Sequence, residues 1–401
     1  MLQYIIQNLT ANTQINPIKI LILFFSMTIL SVFLDEIGFF RFLANATLKK
    51  SGASQKKLFV ILYFTVSILT VFTSNDIIVL TFTPFICYFC SSGKLNPIPY
   101  LVTVFIAANT WSMALIIGNP TNIYLATFGS INFVGYILIM IIPTIIGGLT
   151  SFALLYLCFK NQFSKPIQHT TKKSSFISSP VLLFIGIIHL VAATILLVLS
   201  SYIKIQMWIV AACSAASLFI CNLIYSIFAR HKPIELLRCL QRAPWILIPF
   251  LLGMFILILI LKKFGIPDFF ASVIGTNSPV FKYGVLSALS CNIINNIPMS
   301  VLFSSIIESA SAGVQSNFQF SALFASIIGS NLGAFLTPLG ALAGLMWLKI
   351  LKQQKIQFGT KNFIGYGFKI GLPTLIITLA SLWLEFKFLF PLLPSSMICN
   401  Q

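Results

Sequence analysis

Long apolar runs alternate along the chain with short basic stretches, and four of those runs are interrupted by polar clusters. The runs at 17–40, 131–159, 180–200, 206–228, 243–261 and 367–390 each suit a membrane-crossing helix, which needs about 20 residues. The run 58–90 differs. It is interrupted by Thr73-Ser74-Asn75-Asp76, is too long for one plain span, and leaves only about 15 residues in each arm. That length predicts a re-entrant hairpin with its tip near the bilayer midplane, a backbone that survives only where protein or a watery cavity surrounds it. The run 279–312 repeats the pattern, with Asn292-Ile293-Ile294-Asn295-Asn296-Ile297-Pro298 as its tip.

Two further runs read as broken spans. In 97–128, Asn109-Thr110 is followed by Gly118-Asn119-Pro120-Thr121-Asn122, where Gly118 and Pro120 interrupt a helix and expose backbone groups that can bind an ion. In 317–350 the corresponding stretches are Gly329-Ser330-Asn331-Leu332-Gly333 and Thr337-Pro338-Leu339-Gly340. The order is therefore span, hairpin, broken span, span in residues 17–159, two linking helices in 180–228, and the same order again in 243–390. Because two helices intervene, the second half enters from the opposite face. The expected fold class is an all-α polytopic membrane protein built as an inverted repeat. A faint echo agrees: Leu34-Asp35-Glu36-Ile37-Gly38 resembles Leu261-Lys262-Lys263-Phe264-Gly265, Asn75 pairs with Asn295, and Asn109 with Asn331, at offsets of 220–227.

Composition makes the membrane reading firm. Hydrophobic residues make up 58% of the 401, charged residues 8%, and mean hydropathy is +0.98, against roughly 25% charged residues in a soluble globule. The formal charge of +18 does not point to nucleic acid, because the basic residues sit in short loops between apolar runs. With both hairpins re-entrant, the loops at 41–57, 91–99, 160–179, 229–242 and 349–369 share one side and hold 19 of the 25 Lys and Arg. The positive-inside rule then places those loops in the cytoplasm and both termini outside, in a multi-pass protein of the plasma (inner) membrane. The first 18 residues carry no positive side chain for an n-region, so no signal peptide is expected. The eight cysteines lie mostly in apolar segments and read as small buried hydrophobes; no second pair or His cluster completes a metal site around Cys87 and Cys90.

Several stretches together resemble the ArsB/NhaD-type ion transporter superfamily, most closely arsenite permeases. They are Leu34 to Phe40, Ser74-Asn75-Asp76 with Thr83-Pro84, Ala243-Pro244-Trp245 with Leu252-Gly253-Met254, Asn295-Asn296-Ile297-Pro298, and Gly329 to Gly333 with Leu336 to Gly340. They spread from about residue 30 to 350, nearly the whole chain. The resemblance implies a scaffold part and a mobile transport part, the latter holding the hairpins and broken helices and moving as an elevator. Its members move arsenite or antimonite, exchange sodium for protons, or, in distant relatives, carry di- and tricarboxylates. It leaves open a homodimer. The sequence departs from the arsenite pattern where Asn109 and Asn331 stand, since those permeases often carry Asp there, and Gly118 to Asn122 is closer to the antiporter and carboxylate relatives.

Polar groups inside a bilayer are costly and mark substrate or ion paths. The candidate site residues are therefore Ser74, Asn75, Asp76, Asn109, Thr110, Asn119, Thr121, Asn122, Asn295, Asn296, Ser330, Asn331 and Thr337. Asp76 can hold a proton or a cation, or cap the helix of the second arm. Asn75, Asn295 and Asn296 offer donors and acceptors suited to a neutral trihydroxide such as arsenous acid or to an oxyanion, or else satisfy broken backbone. Half-helix N-termini point partial positive charge at an anion, and unwound carbonyls can coordinate sodium. The prolines at 84, 120, 298 and 338 shape backbone, Asp35 and Glu36 read as interfacial, and His189 as a packed residue bonded to a neighbouring helix. The expected substrate is a small ion or oxyacid moved by a secondary active transporter, arsenite or antimonite efflux coupled to protons first. Sodium/proton exchange or sodium-coupled carboxylate uptake is the alternative. No cofactor is expected beyond Na+ or H+ as coupling ion. With no Walker-A pattern, any ATP coupling would need a separate ATPase subunit. An intramembrane enzyme is disfavoured by the absence of His-Glu-x-x-His and of paired intramembrane acids.

Overall fold

A computed structural model describes residues 16–164, 166–167, 177–203, 205–230, 232–243, 245, 247–311, 316–392 and 398. The first helix, α1 (Pro17–Ile37), is opened by Asn16, whose Oδ1 accepts the Ile18 N–H at 2.8 Å, with Pro17 in the first turn where its missing N–H costs nothing. Beyond Gly38 the chain does not become the basic loop expected from its charge. Residues Phe39–Ser51 form α2, an amphipathic helix that buries Phe40, Ala44, Thr47 and Ser51 at helical spacing and exposes Arg41, Lys49 and Lys50.

The interrupted runs form pairs of helices separated by short breaks. The first hairpin candidate becomes α3 (Gln55–Phe72) and α4 (Asn75–Ser92), arms of 18 residues each, longer than expected because Gln55 to Lys57 and Ser91-Ser92 join the helices. α5 (Ile98–Trp111) gives way to two 3-10 turns and then α6 (Pro120–Phe128). Long spans follow: α7 (Phe133–Phe159), α8 (Pro180–Ile203) and α9 (Met207–Phe228). A short amphipathic helix, α10 (Ile234–Arg242), leads to α11 (Leu247–Lys263), which bends by 75° into a helix not foreseen, α12 (Ile266–Ile274). The second interrupted pair is α13 (Pro279–Ile294) and α14 (Asn296–Ser311). The second broken span is α15 (Ser316–Gly333), a 3-10 turn at Pro338–Gly340, and α16 (Leu342–Gln353). α17 (Thr360–Tyr366) passes through one π-helical turn into α18 (Leu372–Phe388). Among the described residues, seven helices are long and apolar enough to cross a membrane, or eight with the bent α11–α12 pair. The protein is an all-α polytopic membrane protein.

Packing follows the order of elements. α1 is enclosed by α8, α9 and α10. Within each half both arms of the interrupted pair pack on the first part of the broken span: α3 and α4 on α5, α13 and α14 on α15. The second arms also cross over, α4 packing on α16 and α14 on α6. Tyr63 pins three helices together: its hydroxyl lies 2.6 Å from the Gly148 carbonyl and 2.8 Å from Ser151 Oγ, and it accepts Trp111 Nε1 at 3.1 Å. His189 behaves as expected, contacting the Ile185 carbonyl and, across to α9, Ser217 Oγ at 3.1 Å.

Contacts also knit the basic segments to one another. Ile167 N donates to the Ala53 carbonyl at 2.9 Å, Asn96 Nδ2 to Gln162 Oε1 at 2.8 Å, and Ser178 N to the Ile37 carbonyl at 3.0 Å. Arg242 pairs with Asp35 and Glu36 at the end of α1, and Phe159 packs on Tyr366.

Candidate functional site

The first break is built by Gly118 and Pro120. A Cβ on Gly118 would lie 2.1 Å from the Ser112 carbonyl oxygen, so only glycine lets the two turns close. Pro120 starts α6, and Asn119 caps it, its Oδ1 accepting the Thr121 N–H at 3.1 Å. Interrupting a helix in a membrane strands carbonyls, and unsatisfied backbone there costs several kcal/mol on the order of 2–7. Asn122 meets that cost: its Nδ2 donates to the Ser112 and Leu115 carbonyls at 2.8 and 3.1 Å.

Asn331, on α15 of the other half, completes the structure. Its Nδ2 donates to Asn122 Oδ1 at 2.7 Å and to the Ile327 carbonyl at 2.9 Å. Its Oδ1 accepts Asn119 Nδ2 at 3.0 Å and lies 2.8 Å from Ser112 Oγ. Next to it, Ser330 Oγ and Thr121 Oγ1 are 2.9 Å apart. These side chains are buried, and the Asn331 amide has both donors and its acceptor engaged. In this conformation Asn119, Thr121, Asn122, Ser330 and Asn331 brace the break.

The first tip is different. Ser74 occupies the cap position of α4 without a side-chain bond, and Asp76 is the second helical residue, where the helix dipole favours its charge. Asn75 Nδ2 donates to Asn109 Oδ1 at 2.9 Å, and Asn109 Nδ2 to the Phe105 carbonyl at 2.9 Å. Two oxygens at this place are buried without a hydrogen-bond partner, Asn75 Oδ1 and Thr110 Oγ1. Asp76 is half-buried and makes no ion pair or hydrogen bond with a described residue. Orphaned buried polar atoms cost about 1–3 kcal/mol each, so they call for an occupant. The unspent atoms here are oxygens, suited to a cation, a proton or the hydroxyls of a neutral acid.

The second tip forms a separate cluster. Asn292, in the predicted tip stretch but not among the candidate site residues, is its centre. Asn292 Oδ1 accepts Thr337 N and Thr337 Oγ1 at 2.8 and 2.7 Å, and Nδ2 donates to the Gly333 carbonyl at 2.9 Å. It stitches the second break as Asn122 stitches the first. Asn295 stands at φ 73°, ψ 156°, a region nearly reserved for glycine, and its Nδ2 donates to the Leu339 carbonyl at 3.1 Å. Asn296 starts α14, is 4% exposed, and its side chain has no partner among the described residues. No hydrogen bond joins this cluster to the first network among the described residues; the halves meet instead through Asn331 and through Tyr124 and Ser304, 3.1 Å apart between α6 and α14. Ser112, which also escaped the sequence reading, lies between the two Asn109 and Thr121 stretches that were singled out. A second intramembrane acid was overlooked as well: Glu385 of α18 is buried, with Oε2 unpartnered.

Nearly the whole chain is similar to known transporters. The citrate transporter model, CitMHS, matches residues 5–329. The arsenical pump membrane protein of Escherichia coli is 26% identical over 373 residues, covering 90% of this chain and 85% of that protein. Two solved structures share the fold at 15% identity. The YdaH transporter of Alcanivorax borkumensis has a TM-score of 0.67, covering 98% of this chain and 89% of that one. MtrF of Neisseria gonorrhoeae, described as one of a class of antimetabolite efflux pumps, has a TM-score of 0.59, covering 97% and 84%.

Proposed function

The chain belongs to the citrate transporter family and is a membrane transporter rather than an enzyme, and from that premise we propose that it moves a small inorganic oxyacid, arsenite or antimonite, outward in exchange for protons. The observation that carries this reading is the first tip. Asp76 has no counter-charge among the described residues; it follows Asn75, whose Oδ1 is orphaned, and Asn75 bonds Asn109, whose neighbour Thr110 has an orphaned Oγ1. No Lys, Arg or His occurs in residues 73–76, 109–122, 292–300 or 329–341. One acid and no base suit a neutral trihydroxide with a proton better than a tricarboxylate. Likeness over most of its length to a protein named as an arsenical pump membrane protein supports the same choice.

Transport in this reading is alternating access around the two tips. Support for an inverted repeat comes from the matching contacts: both arms on the first part of the broken span in each half, and each second arm crossing to the other half. The elevator division has α1, α8, α9 and α10 as scaffold, and the hairpins and broken spans as the moving part. The linked basic segments support one cytoplasmic end with both termini outside.

A second reading, sodium-coupled carboxylate uptake, is favoured by one feature: α4 and α14 both begin at the tips, with Asn75 and Asn296 in their first turns. Helix N-termini attract anions. Reconstituted protein offered arsenite, sodium or citrate under imposed proton or sodium gradients separates the two. Proton-driven arsenite movement without sodium supports the first; sodium-dependent citrate uptake replaces it with the second.

A further inference from the structure

We propose that Asp35 is a positioning residue of the transport cycle, the centre of a clasp that holds the second arm of the first hairpin against the scaffold. This rests on the elevator reading above. Asp35 is the third residue from the end of α1, counting Ile37 as the first, its side chain 5% exposed although it carries a carboxylate. Its two oxygens go to two different elements. Oδ2 pairs with Arg242 Nη2 of α10 at 2.8 Å, and Oδ1 accepts the hydroxyl of Thr81 on α4 at 2.9 Å. Neighbouring Glu36 takes the other arm of the same guanidinium, and Arg41 Nη2 approaches the Asp35 carbonyl at 3.4 Å.

The division of labour follows from the chemistry. A buried carboxylate needs its charge matched, and the planar Arg242 fork spans both acids while half its side chain stays in solvent. That leaves the Asp35–Thr81 bond as the one hydrogen bond, among the described residues, from this charged cluster to the second arm of the hairpin. Thr81 lies about one and a half turns beyond Asp76 on the same helix, so motion of the Asp76 tip along α1 has to break it. α1 packs chiefly on α8, α9 and α10, the scaffold of the elevator reading, and in that reading stays in place with them. The bond is therefore made in this conformation and absent in the one with the site moved. A single charge-assisted hydrogen bond shifts such an equilibrium by about tenfold or more.

The closing experiment uses reconstituted full-length protein and the arsenite substrate of the proposed function. The double variant Asp35→Cys with Thr81→Cys is oxidised to a disulfide and then reduced. The expected result is transport arrested on oxidation and regained on reduction, the recovery showing that the protein is folded. Transport that continues through a complete cross-link overturns the clasp and leaves the transporter reading standing. Wild-type protein that moves no arsenite in any gradient overturns the function instead. Thr81→Val and Thr81→Ser give an independent readout. Loss of the clasp in Thr81→Val shifts the balance of states, so KM for arsenite rises at one membrane face and falls at the other, their ratio changing about tenfold, and Thr81→Ser restores both values. A change of equal sign at both faces marks a binding or folding defect and contradicts the proposal.

Discussion

Asn331 donates its Nδ2 to Asn122 Oδ1 across 2.7 Å, joining the end of α15 to the first turn of α6 from positions far apart in the chain. One amide thereby fastens the broken span of one half to that of the other. Asn122 in turn holds the carbonyls of Ser112 and Leu115, which a straight helix would have bonded itself.

Replacing Asn331 with Ala leaves Asn122 Oδ1 and Asn119 Nδ2 without their partner in a buried place, while the Ser112 hydroxyl keeps the Asn109 carbonyl at 2.8 Å. The expected cost is at least about 2 kcal/mol. Thermal unfolding in detergent, followed by tryptophan fluorescence, should show a clear fall in Tm.

Asn295 gives a prediction with two signs. Its φ of 73° with ψ of 156° costs an L-residue on the order of 1–3 kcal/mol, offset by the bond to the Leu339 carbonyl. Asn295→Gly removes the strain along with the bond and should melt close to wild type. Asn295→Ala keeps the strain without the bond and should melt clearly below it. Equal Tm values for the two variants would show that the backbone there is relaxed.

Close packing of α13 on α15 rests on Gly329. An added Cβ would lie 2.0 Å from Ser287 Oγ and 2.4 Å from the Gly284 carbonyl oxygen. Gly329→Ala is expected to destabilise by roughly 1–3 kcal/mol or more and to lower the yield of monodisperse protein in size-exclusion chromatography. Gly253→Ala, with nothing within 4 Å of the added Cβ, should behave as wild type.

The orphaned hydroxyl of Thr110 separates stability from function. Thr110→Val removes a buried unpartnered oxygen at nearly constant volume, and should raise stability by about 1 kcal/mol. If that oxygen faces the transported species, transport falls at the same time. Melting and flux measured on one preparation test both halves of the statement.

Much of this was legible in the residues. Polar clusters inside apolar runs marked both interrupted pairs and both broken spans, because a bilayer leaves such groups few other places to be. What misled was charge and local order. Phe39–Ser51 looked like a loop because Arg41, Lys49 and Lys50 outweighed the helical spacing of Phe40, Ala44, Thr47 and Ser51. α12 was missed because its nine residues follow α11 with only Phe264-Gly265 between. The bracing roles of Asn119, Asn122 and Asn331 depend on contacts between residues about 210 apart, which no local pattern carries. Ser112 and Asn292 lay inside the right stretches, but only geometry distinguishes them from their neighbours.

The most direct test of the central claim is proton-driven arsenite flux in proteoliposomes, wild type against Asp76→Asn. The amide keeps the shape of the side chain and cannot carry the proton. The expected result is arsenite movement driven by a pH gradient in wild type, and in Asp76→Asn a flux that no longer responds to the gradient. Gradient-driven flux at wild-type rates in Asp76→Asn would contradict a coupling role for Asp76.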